Sequence, residues 1–224
     1  MPSFQLISFP TCPFVQRSAI TLNFKGIAYE TRYIDLTNKP EWFLAISPTG
    51  KVPVLVVRED DGREIVLFES AVINEYLDEI TEGSLLPADS LVRARHRAMI
   101  ELASACLGDA WRMGTATSEA EVQGAVDALR GKLGYFERDL VGPFFIGGEL
   151  SLVDTASIPM LQRVAWTGAL REGLDVFAGL PKVRAWLDAG EQLDAVRRST
   201  LADVRDQYVA MLRKRGGWVT MGAD

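Results

Sequence analysis

Cys12 is the side chain of this sequence best placed to act as a nucleophile. It stands between a strand-like segment, Phe4 to Ser8, and Pro13, a residue preorganised for the first position of a helix. Unpaired backbone N–H groups at a helix start, together with the positive end of the helix dipole, favour a negative charge there. Such a setting lowers a thiol pKa and populates the thiolate, the form that attacks. As a residue type alone, a cysteine serves equally as a small buried apolar group; the proline that follows tips Cys12 towards reactivity. Cys106 falls within a helical pattern in the other half of the chain and reads as a core residue.

The motif Cys12-Pro13-Phe14-Val15 places Val15 where a Cys-x-x-Cys pair would carry its second thiol. A monothiol cannot close a local disulfide, so a redox cycle through Cys12 needs an external thiol. In a reducing cytoplasm the abundant one is glutathione. Val52-Pro53 leads into the apolar run Val54 to Val57. A cis bond there would turn backbone groups outward for a peptide-like ligand, whereas a trans bond would make Pro53 an ordinary strand-leading proline. Glu69-Ser70 ends a strand and begins a helix. Ser70 can cap that helix, or the N–H groups beside it can receive a carboxylate while Glu69 meets an ammonium, as the amino-acid end of a γ-glutamyl group would require. Ser8 and Thr11 also carry hydroxyls near the loop, but neither precedes the helix as Cys12 does. His96 has no second histidine with which to form a pair and reads as structural or superficial. Trp111 and Trp218 are either pocket linings or core.

These residues need a frame, and the first third of the chain supplies one. Strand-like and helical segments alternate: Phe4 to Ser8, a helix from Pro13 to Lys25 stopped by Gly26, Tyr29 to Ile34, a short helical segment Glu41 to Ile46, strands Val54 to Val57 and Ile65 to Phe68 flanking Asp60-Asp61-Gly62, and a helix Ser70 to Ile80. The predicted order is β-α-β-α-β-β-α. Residues 1–82 form this α/β domain, residues 83–90, with Gly83 and Pro87, a linker, and residues 91–224 an all-helical domain. Within the latter, Ser118/Glu121 and Ser151/Asp154 have the spacing of capping boxes, Pro181 opens a helix carrying Val183, Trp186 and Leu187, and Leu201 to Leu212 marks the last.

With 224 residues, 48% of them hydrophobic, the chain can bury a core without disulfides, and a net charge of -6 argues against an electrostatic grip on nucleic acid or anionic membrane. The arginines at 93, 95 and 97 and the run Arg213-Lys214-Arg215 read as solvated helix surface. Two cysteines and one histidine fall short of the roughly four ligands of a structural zinc site. No apolar run reaches the roughly 18 to 20 residues that span a bilayer, and no signal-like segment opens the chain, so a cytoplasmic location is expected.

Four motifs occur together and in order: Phe9-Pro10-Thr11-Cys12-Pro13-Phe14, Asn38-Lys39-Pro40-Glu41-Trp42-Phe43, Lys51-Val52-Pro53-Val54-Leu55 and Phe68-Glu69-Ser70-Ala71. In this combination the chain resembles the glutathione S-transferase superfamily, and the cysteine motif is most similar to its omega class. The resemblance implies a thioredoxin-like N-terminal domain, an all-α C-terminal bundle, glutathione as co-substrate without a metal, and a homodimer. It implies that Cys12 forms a mixed disulfide with glutathione, that Lys39 holds the glycyl carboxylate, and that the Val52 backbone pairs with the cysteinyl part. Pro53 would be a cis-proline, Phe14 would belong to the glutathione-binding set, and Glu69 and Ser70 would clasp the γ-glutamyl end. The expected activity is thiol transfer or reduction. An ether-cleaving or dehalogenating enzyme of aromatic catabolism and a non-catalytic ligand-binding member are the alternatives. No motif identifies the acceptor substrate.

Overall fold

The computed structural model describes residues 2–221. The chain divides into two compact units: one takes in the residues up to Leu85 together with Asp194–Leu201, the other Leu86–Leu193 and the chain from Ala202 onward.

The first unit contains β1 (Ser3–Ser8), α1 (Pro13–Phe24), β2 (Glu30–Tyr33), α2 (Glu41–Ile46), β3 (Val54–Arg58), β4 (Glu64–Phe68) and α3 (Ser70–Glu79), in the order predicted. The sheet runs β2-β1-β3-β4, with β2 parallel to β1 and the other pairs antiparallel. Parallel neighbours need a crossover, which α1 provides, whereas β3 and β4 need only a hairpin. Gly62 allows that hairpin by taking φ +86, its N–H donating to the Glu59 carbonyl at 3.0 Å. Val54 to Val57 are all buried, as an unbroken apolar run in a strand covered on both faces should be. Edge strand β2 is exposed throughout and is shorter than the expected Tyr29 to Ile34.

Register decides where the chemistry gathers. Ile7 lies opposite Val54, Val54 opposite Phe68, and Ser8 beside Tyr33. The exits of β1, β2 and β4 and the entry to β3 therefore share one end of the sheet, which is where Cys12, Val52-Pro53 and Glu69-Ser70 begin or end their loops.

The second unit contains α4 (Ser90–Thr115), α5 (Glu119–Asp139), α6 (Leu152–Gly168), α7 (Pro181–Gln192), α9 (Val204–Lys214) and a 3₁₀ turn at Trp218–Thr220. The Ser151/Asp154 capping box is complete. The Ser118 box is half formed: Ser118 accepts from the Glu121 N–H, but the Glu121 carboxylate turns back to the Thr117 N–H at 2.9 Å. Glu137 of α5 receives the Lys182 and Val183 N–H groups at 3.1 and 2.9 Å and so caps α7 from a neighbouring helix. The last helix begins at Val204 rather than Leu201, because the residues up to Leu201 pack in the other unit. Cys106, Trp186 and His96 are buried, whereas Trp111 and Trp218 are partly open, with the guanidinium groups of Arg215 and Arg171 over their rings. Among the described residues no helix is long and apolar enough to cross a membrane.

The remaining helix, α8 (Asp194–Arg197), belongs to the first unit and packs on α1. It explains a feature of α1 that periodicity alone does not. Every residue from Val15 to Leu22 is buried, although the stripe Val15, Ala19, Leu22 that joins the sheet core accounts for only one face. A second stripe, Gln16, Ile20 and Asn23, has its ends bound by the Asp194–Leu201 segment: Gln16 Nε2 donates to Ser199 Oγ at 3.1 Å, and Asn23 Nδ2 to the Ala195 carbonyl at 3.0 Å.

Candidate functional site

Cys12 is the N-cap of α1, with Pro13 at the first helical position. Its N–H donates to the Phe9 carbonyl at 3.0 Å and its own carbonyl accepts from the Gln16 N–H at 3.2 Å. The thiol is partly open, and the first turn of α1 carries no acidic side chain to oppose a thiolate. Its Sγ lies 4.0 Å from the Val52 carbonyl oxygen, so Cys12 and Val52, forty residues apart, are brought together. The Val52–Pro53 bond is cis. Phe14, half-buried in the first turn, has the buried Arg17 guanidinium 4.9 Å from its ring centroid. The alternative hydroxyls, Ser8 and Thr11, are both buried.

Helix α3 begins at Ser70 as expected, but its cap is Glu69 rather than Ser70. Glu69 is the N-cap, because its carbonyl already accepts the helical bond from the Ile73 N–H at 2.9 Å, and Ser70 is the first residue of α3. Glu69 holds φ at +68, the one non-glycine positive φ among the described residues. A conformation of that kind costs about 1–3 kcal/mol and is found where a binding site over-determines the backbone. The Glu69 side chain is exposed and makes no hydrogen bond or ion pair with another described residue, and Ser70, though buried, leaves its hydroxyl without a hydrogen bond to one.

Lys39 precedes α2, which is anchored by the fully buried Phe43. Its side chain extends over Gly50: a methyl built on Gly50 would lie 3.5 Å from Lys39 Nζ. No carboxylate of the described residues pairs with that ammonium. The arrangement thus offers a cation at Lys39, an anion at Glu69, and the Cys12 thiol with the Val52 carbonyl, all on loops at one end of the sheet. An extended zwitterionic peptide carrying its own thiol is complementary to such a set. Among the described residues no three His, Cys, Asp or Glu side chains group as metal ligands would.

Two further residues at this end of the sheet hold the turn that the sequence signals at Ser47-Pro48-Thr49-Gly50. Ser47, buried, donates from its hydroxyl to the Lys51 carbonyl at 2.9 Å and accepts the Lys51 N–H at 3.1 Å, and Gly50 takes φ +61. Together they close the Ser47-Pro48-Thr49-Gly50 turn that carries the chain to Val52. A serine opening a turn with glycine in its last position is a readable signal.

Comparison with known proteins gives a consistent picture. The family described as "Glutathione S-transferase, N-terminal domain" matches residues 6–85, and that described as "Glutathione S-transferase, C-terminal domain" matches residues 119–189. The chain is 34% identical over 189 residues to glutathione S-transferase omega-1 of Sus scrofa, covering 83% of this chain and 75% of that protein. Among solved structures it is similar to glutathione transferase Omega 3C from Trametes versicolor, with a TM-score of 0.77 and 27% identity over 88% of this chain and 89% of that one. It is also similar to a maleylacetoacetate isomerase from Anaeromyxobacter dehalogenans with glutathione bound in its active site, with a TM-score of 0.67 and 30% identity over 89% and 95% of the two chains.

Proposed function

The chain belongs to the glutathione S-transferase family, and from that premise we propose that it is an omega-like thiol transferase working through Cys12. The observation that carries this reading is the partly open thiol at the N-cap of α1, facing the Val52 carbonyl. In this scheme the Cys12 thiolate attacks the glutathione sulfur of a mixed disulfide, forming a Cys12–glutathione disulfide and expelling the substrate thiolate, which takes up a proton. A second glutathione thiolate then attacks the glutathione sulfur of that disulfide, producing oxidised glutathione and restoring the Cys12 thiolate. The net exchange oxidises the thiol of the second glutathione and yields the substrate thiol and oxidised glutathione. Dehydroascorbate is a further acceptor class for the same cysteine.

In this reading Lys39 pairs with the glycyl carboxylate, and the backbone of Val52, beside the cis Pro53, pairs with the cysteinyl part. Glu69 meets the γ-glutamyl ammonium, the N–H groups at Ser70 receive its carboxylate, and Phe14 lines the same site. Their charges and positions support that orientation of the ligand. The protein acts in the cytoplasm as a homodimer, which sedimentation of the purified chain checks directly. Mass spectrometry after exposure to oxidised glutathione is expected to find one adduct, on Cys12. An adduct confined to Cys106, or none, would overturn the proposal.

The likeness to a glutathione-bound isomerase favours a second reading, in which the sulfur of bound glutathione attacks an electrophile of aromatic catabolism and Cys12 forms no covalent bond. The variant Cys12→Ser separates the two. Loss of disulfide exchange below about a thousandth of wild type supports the cysteine route, whereas turnover of an electrophile retained in Cys12→Ser supports the second.

A further inference from the structure

The Asp194–Leu201 segment stands far from Cys12 in sequence but packs in its unit, and it grips α1 at both ends. At the far end the Asn23 side chain donates to the Ala195 carbonyl and accepts from the Tyr29 hydroxyl at 3.2 Å. At the near end a chain of bonds reaches the reactive turn. Ser199 donates from its hydroxyl to the Val196 carbonyl at 2.6 Å and accepts from Gln16 Nε2 at 3.1 Å, while the Gln16 N–H donates to the Cys12 carbonyl at 3.2 Å. Between the two grips Ile20 is fully buried, and Ala195 and Val196 on the segment are buried. Gln16, Ile20 and Asn23 fall at i, i+4 and i+7, one stripe of the helix.

We propose that this segment is a strap that positions the Cys12 thiol, with Gln16 and Ser199 as its positioning residues. The inference rests on the reading of Cys12 as the reactive thiol. A thiolate at a helix start is stabilised by the N–H groups of the first turn, at this site those of Phe14 and Val15, and that stabilisation depends on their direction. Gln16 is the next residue of the same turn. The Cys12 side chain accepts no capping hydrogen bond from that turn, so a thiolate there is held by the field of the helix start; a side chain bonded to Ser199 fixes the turn about the helix axis and with it the direction of that field, and without that bond the turn has a freedom that weakens its hold on the charge.

The test is the pH profile of Cys12 alkylation by iodoacetamide, read on the Cys12 peptide by mass spectrometry, in wild type, Ser199→Ala, Ser199→Thr and Gln16→Leu, each with its melting temperature. Ser199→Ala and Gln16→Leu are expected to move the profile towards higher pH, slowing alkylation about threefold or more in mildly acidic solution while the alkaline plateau is kept. Ser199→Thr, which keeps the hydroxyl, should restore the wild-type profile. A purely structural role predicts lower melting temperatures with superimposable profiles, and that result overturns the proposal, as does failure of the threonine variant to restore a shifted profile. Should Ser199→Ala not fold, Gln16→Leu decides on the same criterion. Wild type is treated with oxidised glutathione in parallel: a shifted profile without an adduct would defeat the thiol transferase reading and leave the strap standing, whereas an adduct with superimposable profiles would do the reverse.

Discussion

Lys39 and Glu69 are opposite charges that the first unit holds in place without a partner among its described residues, each on a loop whose neighbours are well fixed: Phe43 is buried, and Glu69 is locked between β4 and α3. An exposed charge kept from local neutralisation is ready for a ligand, and under the proposed function each contributes to holding glutathione rather than to breaking a bond. Lys39→Ala is expected to raise KM for glutathione about tenfold, the worth of one charge-assisted hydrogen bond, and to leave kcat within a factor of about two. Initial rates at varied glutathione concentration check this; an equal fall in kcat would place Lys39 in the chemistry instead. Glu69→Gln keeps the shape and removes the charge, so it should weaken glutathione binding, measured by calorimetry, by a similar factor. The position of Cys12 at the start of α1 was legible, because a cysteine before proline after a short apolar run is a local pattern. The bond from Gln16 to Ser199 was not: nothing near a glutamine in a helix tells that its partner is a serine far down the chain.

At the scale of elements, the same distinction separates what periodicity predicts from what it leaves out. The boundaries of α2 and the order of the first seven elements follow from local signals, namely Pro40 before α2, Gly26 after α1 and Asp60-Asp61-Gly62 between β3 and β4. Helix α8 was missed because four residues cannot show a helical period, and the start of α9 was drawn too early for the same reason: Leu201 has the apolar character of that helix but belongs to the preceding segment. The α6 cap was legible as Ser151/Asp154, yet its full weight was not. Asp154 also accepts from Trp186 Nε1 at 2.6 Å and from the Phe145 N–H at 2.7 Å, beside two bonds from Ser151. Burial pushes its carboxyl above the usual carboxylate range while these donors pull the other way. Asp154→Ala would strand several buried donors at once and is expected to cost about 3 kcal/mol or more, read from urea denaturation.

For the whole molecule, the single histidine makes the response to mild acid unusually simple to interpret. His96 is buried with its ring edge-on to Phe145, and burial, aided by the neighbouring Arg95 charge, lowers its pKa from 6.5. As pH falls through 6.5 the unfolded chain therefore takes up a proton that the folded chain resists, so stability declines until the folded pKa is reached and is level below it. Urea midpoints between about pH 7.5 and pH 5.5 should fall in wild type, and the His96→Gln variant should lose most of that slope; an unchanged slope would assign it to the carboxylates. The two-unit organisation, an α/β part and a helical part, was readable from the change of texture near Gly83. That the first part also recruits residues 194–201 was not, since the capture depends on the outer stripe of α1 finding a surface, a matter of tertiary packing.

That recruitment bears on how the molecule is made. A ribosome delivers the α/β sequence first, and domains ordinarily fold in the order they emerge. Here the piece that engages Gln16 and Asn23 arrives only after most of the helical unit has been synthesised. Until then Gln16 and Asn23 of the nascent α1 lack these partners. Translation arrested before Asp194 should leave the α/β region open to protease within α1, and release of a chain extended past Leu201 should close it, so that the start of α1 is set in its final position near the end of synthesis rather than at the beginning.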